Sequence, residues 1–367
     1  MVFLKISLLS GGFLLSPLIC LANYTSYHTF HPISWMHALP VGETPGWSSK
    51  NWVNYEFSQG NVWNLPIEML NTTNNQTLEY SADLGQTSQI LELGTTLFDQ
   101  LSVSLELSFA QRNGGLFDNL IDEFHVLIGN DRFGRDNYPE NQTTLSIKSD
   151  GQEKVNQDIQ SGLSNLKLKF KYWPWKWEGR RKATCPCGFA VSSQFKFPVS
   201  QADTGLTSTG IDSSLLLHLG APLFDASGIW LTGGLTYAPE NPLLEGWPRF
   251  EWLQMYELSS QLSIGKNWSF IIQVRVESPL MDRNQLGVLN AETEEEIRLV
   301  ASSWNSLGYW RGTESIGFNY RGSKGSSFQL LIIEDFTPGG LESDGDDSFF
   351  VYNAPDLMFM LQAYVLF

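Results

Sequence analysis

Five groups of side chains in this chain could do chemistry. His218 stands four residues after Ser214 on an alternating stretch, so both point to one side of a strand. A serine beside a histidine base is the kernel of a hydrolase, which also needs an orienting group and an oxyanion hole. The sequence marks neither. His28, His31 and His37 form a cluster whose spacing fits no standard zinc signature. No metal and no cofactor is expected. Cys185-Pro186-Cys187 is a close thiol pair that could oxidise in an exported protein. So small a ring is strained and readily reduced, and redox motifs use another spacing. A local structural pair or free thiols is the reading taken. Asp122, Glu123 and His125 could exchange protons, although a solvated helix face accounts for them as well.

The fifth group is the largest. Lys167, Lys169 and Lys171 alternate with Leu166, Leu168, Phe170 and Tyr172. The same alternation elsewhere puts Glu92, Glu106, Lys196, Asp212, His218, Glu257, Arg275, Glu277, Arg321 and Asp335 opposite apolar faces. Such a mixed-charge set suits either cross-strand ion pairing or the lining of a channel that selects its solute. The lysine row points to anions.

These residues need strands to carry them, and the period-2 pattern supplies the strands. Leu101, Val103, Leu105, Leu107 and Phe109 alternate with serines and Glu106. Trp268, Phe270, Ile272, Val274 and Val276 do the same. Weaker strands are read at 52–60, 78–98, 187–197, 211–219, 229–237, 252–264, 313–321 and 327–336. In the last eleven residues Leu357, Phe359, Leu361, Ala363, Val365 and Phe367 occupy every odd position. The total is about twelve strands. Short connections at 99–100, 224–228, 265–267 and 322–326 alternate with long ones at 111–162, 198–210, 238–251, 278–312 and 337–356. The basic turn 174–184 is the exception, being longer. Short periplasmic turns, long extracellular loops and an even strand number describe an up-and-down outer-membrane β-barrel. Hydrocarbon leaves no partner for a bare backbone group, so the sheet must close. Trp252, Tyr256, Trp268, Tyr237 and Tyr172 suit the interfacial girdles.

The N-terminus agrees. Residues 1–22 hold Lys5, an apolar run from 6 to 19 and Ala22 before Asn23, the pattern of a cleaved signal peptide. Cys20 raises a lipoprotein alternative, without the small residues such cleavage needs. A retained anchor is the other, although the run is short for a span. The remainder divides into an aromatic, His- and Pro-rich segment, 23–50, and the barrel, 51–367. The first is a candidate plug. A second is the loop stretch 116–128, whose Leu116, Phe117, Leu120, Ile121, Phe124, Leu127 and Ile128 have helical spacing and predict a short helix. The net charge of −16, which becomes −17 without Lys5, excludes nucleic acid as a partner. Acidic clusters at 292–296 and 344–347 are solvated loops or divalent-cation contacts to lipopolysaccharide. Membrane lipid is the other expected partner. The barrel-assembly machinery is expected to read Phe359, Leu361, Val365 and Phe367.

Several motifs resemble one family. His31-Pro32-Ile33 and Ala38-Leu39-Pro40 before the first strand are similar to its start. Arg112-Asn113-Gly114-Gly115-Leu116-Phe117-Asp118, Phe124-His125 and Gly134-Arg135-Asp136 resemble its first large loop. Ser161-Gly162-Leu163-Ser164-Asn165, Phe197-Pro198, 205–212 and Ala354-Pro355-Asp356 complete the pattern. Ser164 stands where the family has Gly, and 290–310 is longer. The chain thus resembles bacterial outer-membrane proteins with domain of unknown function 3187. The resemblance implies the barrel and its location, and no activity. The expected function is a narrow or gated channel or carrier for a small or hydrophobic solute. A lipid-modifying hydrolase and a structural or adhesive surface barrel are the alternatives.

Overall fold

The structure is a computed structural model. It describes residues 27–29, 31–43, 51–98, 100–114, 123, 142–155, 158, 160–174, 188–223, 227–239, 241–288, 307–322, 326–336 and 357–367. The signal sequence, the loop helix at 116–128 except Glu123, Cys185 with Cys187, and both acidic clusters lie outside the described residues.

The first two strands are long: β1 (Trp52–Asn71) and β2 (Thr77–Leu97). They are followed by β3 (Leu101–Asn113), β4 (Thr143–Ser149), β5 (Gln152–Glu153), β6 (Ser161–Tyr172), β7 (Gly188–Pro198) and β8 (Asp212–Pro222). Then come β9 (Gly228–Tyr237), β10 (Trp252–Ser263), β11 (Trp268–Glu277) and β12 (Leu286–Val288). The last three are β13 (Arg311–Arg321), β14 (Ser327–Phe336) and β15 (Leu357–Leu366). Every pairing is antiparallel, and β15 pairs with both β14 and β1. Because β1 also pairs with β2, the sheet closes on itself. Twelve strands form the wall: β1 to β3, β6 to β11 and β13 to β15.

The other three explain why β1 and β2 are so long. Above Gly60 the β1 ladder with β15 ends, and Met69–Asn71 pair with β12 instead. Above Gly85 β2 exchanges β3 for β4. The β1–β2 hairpin therefore rises past the wall on the loop side, with strands pairing along both its edges. A bare edge would recruit other chains.

Alternation sorts the two faces as expected. On β11, Ser269, Ile271, Gln273, Arg275 and Glu277 are buried, while Trp268, Ile272 and Val274 face out. Leu215, Leu217, Leu219, Leu231, Leu258, Ile316 and Leu361 form the outer apolar surface. Tyr237 packs on Trp252 at one rim (ring centroids 4.8 Å apart) and Trp268 on Tyr320 at the other (4.9 Å). A closed wall with an apolar outside, aromatic rims and a polar inside is built for lipid. The protein is a bacterial outer-membrane barrel. Trp52, the first wall residue, presses its indole on Gly94 of β2. A Cβ at Gly94 would overlap the ring, so any other residue there would have to displace the indole.

Candidate functional site

The described part of the N-terminal segment, 27–29 and 31–43, lies inside the barrel. Tyr27, His28, Trp35, Met36, His37, Leu39 and Val41 are all buried. A short helix, α1 (Pro32–His37), lies at its centre. Pro32 suits the first turn, where a backbone N–H has no partner to lose. Ala38 ends the helix in the left-handed region (φ 46°), its N–H donating to Trp35 O at 2.9 Å. The segment buries its apolar residues with Tyr80, Leu145, Ile147, Leu206, Leu243 and Leu280 in one cluster.

Polar contacts hold it at three levels. Towards the extracellular rim, Lys196 Nζ donates to Met36 O at 3.4 Å and pairs with Asp212 Oδ2 at 2.8 Å. His37 Nδ1 lies 3.3 Å from the same carboxylate oxygen, and its Nε2 lies 3.1 Å from Asn241 Nδ2. Gln194 Nε2 donates to Ala38 O at 3.1 Å, and Arg275 Nη1 to Tyr27 O at 3.1 Å. Midway, His28 sits between Glu56 (3.3 Å) and Glu106 (3.5 Å). At the periplasmic mouth Glu43 meets Lys171 at 2.9 Å and Lys169 at 3.7 Å. Burial alone would raise the Glu43 carboxyl, but Lys171, Lys169 and His218 outweigh it and bring it down to about 2.

The wall's own charges are paired across strands. Glu106 of β3 holds Lys167 at 2.6 Å and Lys169 at 2.7 Å, both on β6. Glu92 of β2 adds a contact to Lys169 at 3.5 Å. Glu277 pairs with Arg275 and, at 2.6 Å, with Arg311. Glu257 accepts from Ser259 Oγ at 2.8 Å, and Arg321 is buried near the periplasmic end of β13. The lysine row thus faces carboxylates, and its charge is balanced rather than bare.

His218 and Ser214 are both buried but do not meet. Ser214 Oγ bonds Thr236 at 2.9 Å. His218 Nε2 takes Ser192 Oγ at 2.7 Å instead, and its Nδ1 lies 3.1 Å from Thr232 Oγ1. A hydroxyl rather than a carboxylate thus sits where a hydrolase would place its orienting acid. Among the described residues no group of three or more potential ligands could hold a metal. Phe359, Leu361, Val365 and Phe367 alternate outward on β15 and just beyond it, where the wall closes. The Phe367 N–H donates to Asn51 O at 3.0 Å.

Several residues of this site were not singled out in the sequence. Glu56 had a signal, since it alternates with Tyr55 and Phe57 on β1. Arg112, whose guanidinium donates to Thr204 O and Gly205 O at 2.8 and 2.6 Å, could have been read the same way. Glu43 and Asn241 lie outside any strand and carried none.

Three solved structures are similar in architecture. An outer membrane channel from Pseudomonas putida F1 is 10% identical, with 90% of this chain and 100% of that one covered, at a TM-score of 0.48. The transport unit of the autotransporter AIDA-I from Escherichia coli is 5% identical over 91% and 95%, at 0.41. The CymD monoaromatic hydrocarbon channel is 11% identical over 92% and 91%, at 0.36. No curated protein matches the sequence. The family model described as "Protein of unknown function (DUF3187)" matches residues 47–294, from just before β1 to just after β12. The chain belongs to the DUF3187 family.

Proposed function

We propose that this barrel is a gated channel for a small solute, and that residues 27–43 are its gate. The observation that carries this reading is the segment's attachment. It runs through the lumen from rim to mouth and joins the wall through hydrogen bonds, ion pairs and apolar packing. No strand of the wall pairs with it in a ladder among the described residues. The neutral hydrogen bonds among these contacts exchange for water at small net cost, about 0.5–1.5 kcal/mol each. The twelve-strand ladder stays intact when they break. The polar wall left behind, with paired Lys and Glu along β2, β3 and β6, is suited to a hydrated path.

The test is single-channel conductance in a planar bilayer, full-length protein beside a variant lacking 24–49. Heat-modifiable gel mobility reports folding of both. The gated reading expects rare or no openings in the full-length barrel and frequent discrete steps in the variant. Steps of equal size and frequency in both overturn the gate. Silence in both, with both folded, overturns the channel.

A further inference from the structure

On the extracellular side, the connection from β9 to β10 folds round an open cleft of about 440 Å³. That volume lies within the usual span for a small-molecule site, about 300–1,000 Å³. We infer that this cleft binds a saccharide, and that its occupancy releases the upper end of the gate through Asn241. The binding site stands by itself, and its effect on the gate rests on the gated reading above.

The cleft is framed by its own loop. Asn241 Oδ1 accepts the Leu243 N–H at 3.2 Å and so caps a single 3-10 turn, Pro242–Leu244. Gly246 follows in the left-handed region (φ 80°), and its carbonyl accepts from Asn71 Nδ2 of β1 at 3.1 Å. Arg249 Nη1 donates to Ala238 O at 2.7 Å and Nη2 to Pro239 O, which ties the two ends of the loop together. The Phe250 N–H donates to Leu280 O at 2.9 Å. A frame fixed in this way spares a ligand the cost of ordering it.

The lining selects hydroxyls. Glu245 and Glu251, both exposed, offer acceptors, while the Arg249 guanidinium and the Asn241 amide offer donors. A hydroxyl both gives and takes a hydrogen bond, so a ligand carrying several suits the whole set. An anion meets the two carboxylates, and a cation meets the guanidinium. Pro239, Pro242 and Trp247 supply apolar surface for the C–H faces of a sugar ring. Asn241 joins the cleft to the gate. It is only 3% exposed, and its Nδ2 lies 3.1 Å from His37 Nε2. The Asp212 carboxylate, 3.3 Å from His37 Nδ1, keeps the ring proton on that nitrogen and leaves Nε2 to accept. A ligand hydroxyl that draws the Asn241 amide into the cleft takes it from His37. Binding and docking then oppose each other, by the same factor in both directions.

The experiment measures binding of glucose and maltose by calorimetry to full-length barrels refolded without lipopolysaccharide. Core oligosaccharide released from lipopolysaccharide is the third ligand. Tighter binding of it than of maltose assigns the site to sugars of the cell's own surface, and the reverse assigns it to a free solute. Cyclohexanol and choline, the controls for ring shape and charge, are expected to bind at least tenfold more weakly. Glu245→Ala with Glu251→Ala is expected to weaken the sugars at least tenfold in a barrel that keeps its gel mobility. In a planar bilayer, saturating maltose is expected to raise the open probability of the natural protein at least threefold. Asn241→Ser keeps an oxygen for the Leu243 N–H but is too short for His37, and its open probability is expected not to respond to saturating maltose. Sugars bound no better than cyclohexanol or choline, or bound equally by the double variant, overturn the site. An unchanged maltose response in Asn241→Ser overturns the coupling. Sugar binding that needs Glu245 and Glu251, in a barrel that never conducts, keeps the site and removes the gate. Conductance that opens on deletion of 24–49, with no sugar bound by the full-length protein, keeps the gate and removes the site.

Discussion

Lys196→Met is expected to loosen the upper end of the gate by one to two orders of magnitude. Lys196 is fully buried, and its Nζ reaches Asp212 Oδ2 at 2.8 Å, Met36 O at 3.4 Å, Ser208 O at 3.4 Å and the Ser208 hydroxyl. Of these partners only Met36 belongs to the segment. A hydrogen bond from a charged donor is worth about 1.5–3 kcal/mol, and about 1.36 kcal/mol is a factor of ten. The docking equilibrium therefore shifts by roughly 10- to 150-fold. Removing one member of a buried ion pair costs about 3–5 kcal/mol in all. The balance falls on Asp212, which keeps His37 at 3.3 Å. The assay is maleimide labelling of Ser34→Cys, a near-isosteric probe at a fully buried position of α1, with Cys185 and Cys187 replaced by Ser. Labelling of Lys196→Met is expected to run roughly 10 to 150 times faster than with Lys196 in place, in proportion to the undocked fraction. Asp212→Asn leaves Lys196 on Met36 O and is expected to change the rate less. A Lys196→Met rate within twofold of the parent, in a barrel that keeps its gel mobility, would refute the reasoning.

Three further outcomes are expected. Gly42→Val drives a side chain into the space that the Glu257 carboxylate, itself buried, already fills; labelling and open probability both rise more than tenfold, and unchanged rates would mean that the segment does not pass there. Leu361→Arg puts a cation on the outward face at the β1–β15–β14 seam, between Phe57 and Leu330, and costs about 2–4 kcal/mol in lipid; urea titration in vesicles reads it, and Phe359, Val365 and Phe367 test the assembly reading in the same series by insertion yield. His31 is buried beside Tyr80 and Arg311, and burial, with Arg311 adding to it, holds its ring well below the usual histidine range. The undocked segment then binds the extra proton, so docking is fully stable above about pH 6.5 and weakens as pH falls. Ser34→Cys labelling accelerates below that pH, and His31→Phe removes the part due to His31; an identical acid profile in His31→Phe counts against it.

The wall was legible because its signal is local. A strand's two faces differ every second residue, and β3, β6, β11 and β15 show that with few breaks. The upper part of β1 was missed because its register shifts between Asn64 and Ile67, around Pro66, which interrupts the alternation. The strands β4, β5 and β12 escaped because two to seven residues inside a long loop carry little pattern. Inward direction was readable for Lys167, Lys169 and Glu106, but not their partners. Which carboxylate meets which lysine depends on inter-strand register, as in Glu106 opposite Lys167. The gate's contacts are further still from the sequence. Lys171 and Glu43 are 128 residues apart, and His37 and Asn241 are 204. No periodicity connects such residues.

In the gated reading proposed above, the gate shares a chain with the wall, and residues 44–51 alone join Glu43 to β1. A tether that short keeps the local concentration of the closing group in the millimolar range. Shutting is then a first-order event, as fast in a dilute membrane as in a crowded one. Each pore carries its own stopper in a fixed ratio of one to one, so the open fraction does not depend on how many barrels a cell makes. The tether also sets the terms for any solute that binds only the undocked barrel. The solute's apparent Kd is the intrinsic Kd divided by the small undocked fraction. A barrel undocked about one part in a hundred would turn a micromolar site into one that answers at roughly a hundred micromolar. Closure at low solute and passage at high solute would then be separated by the tether, with no second protein involved.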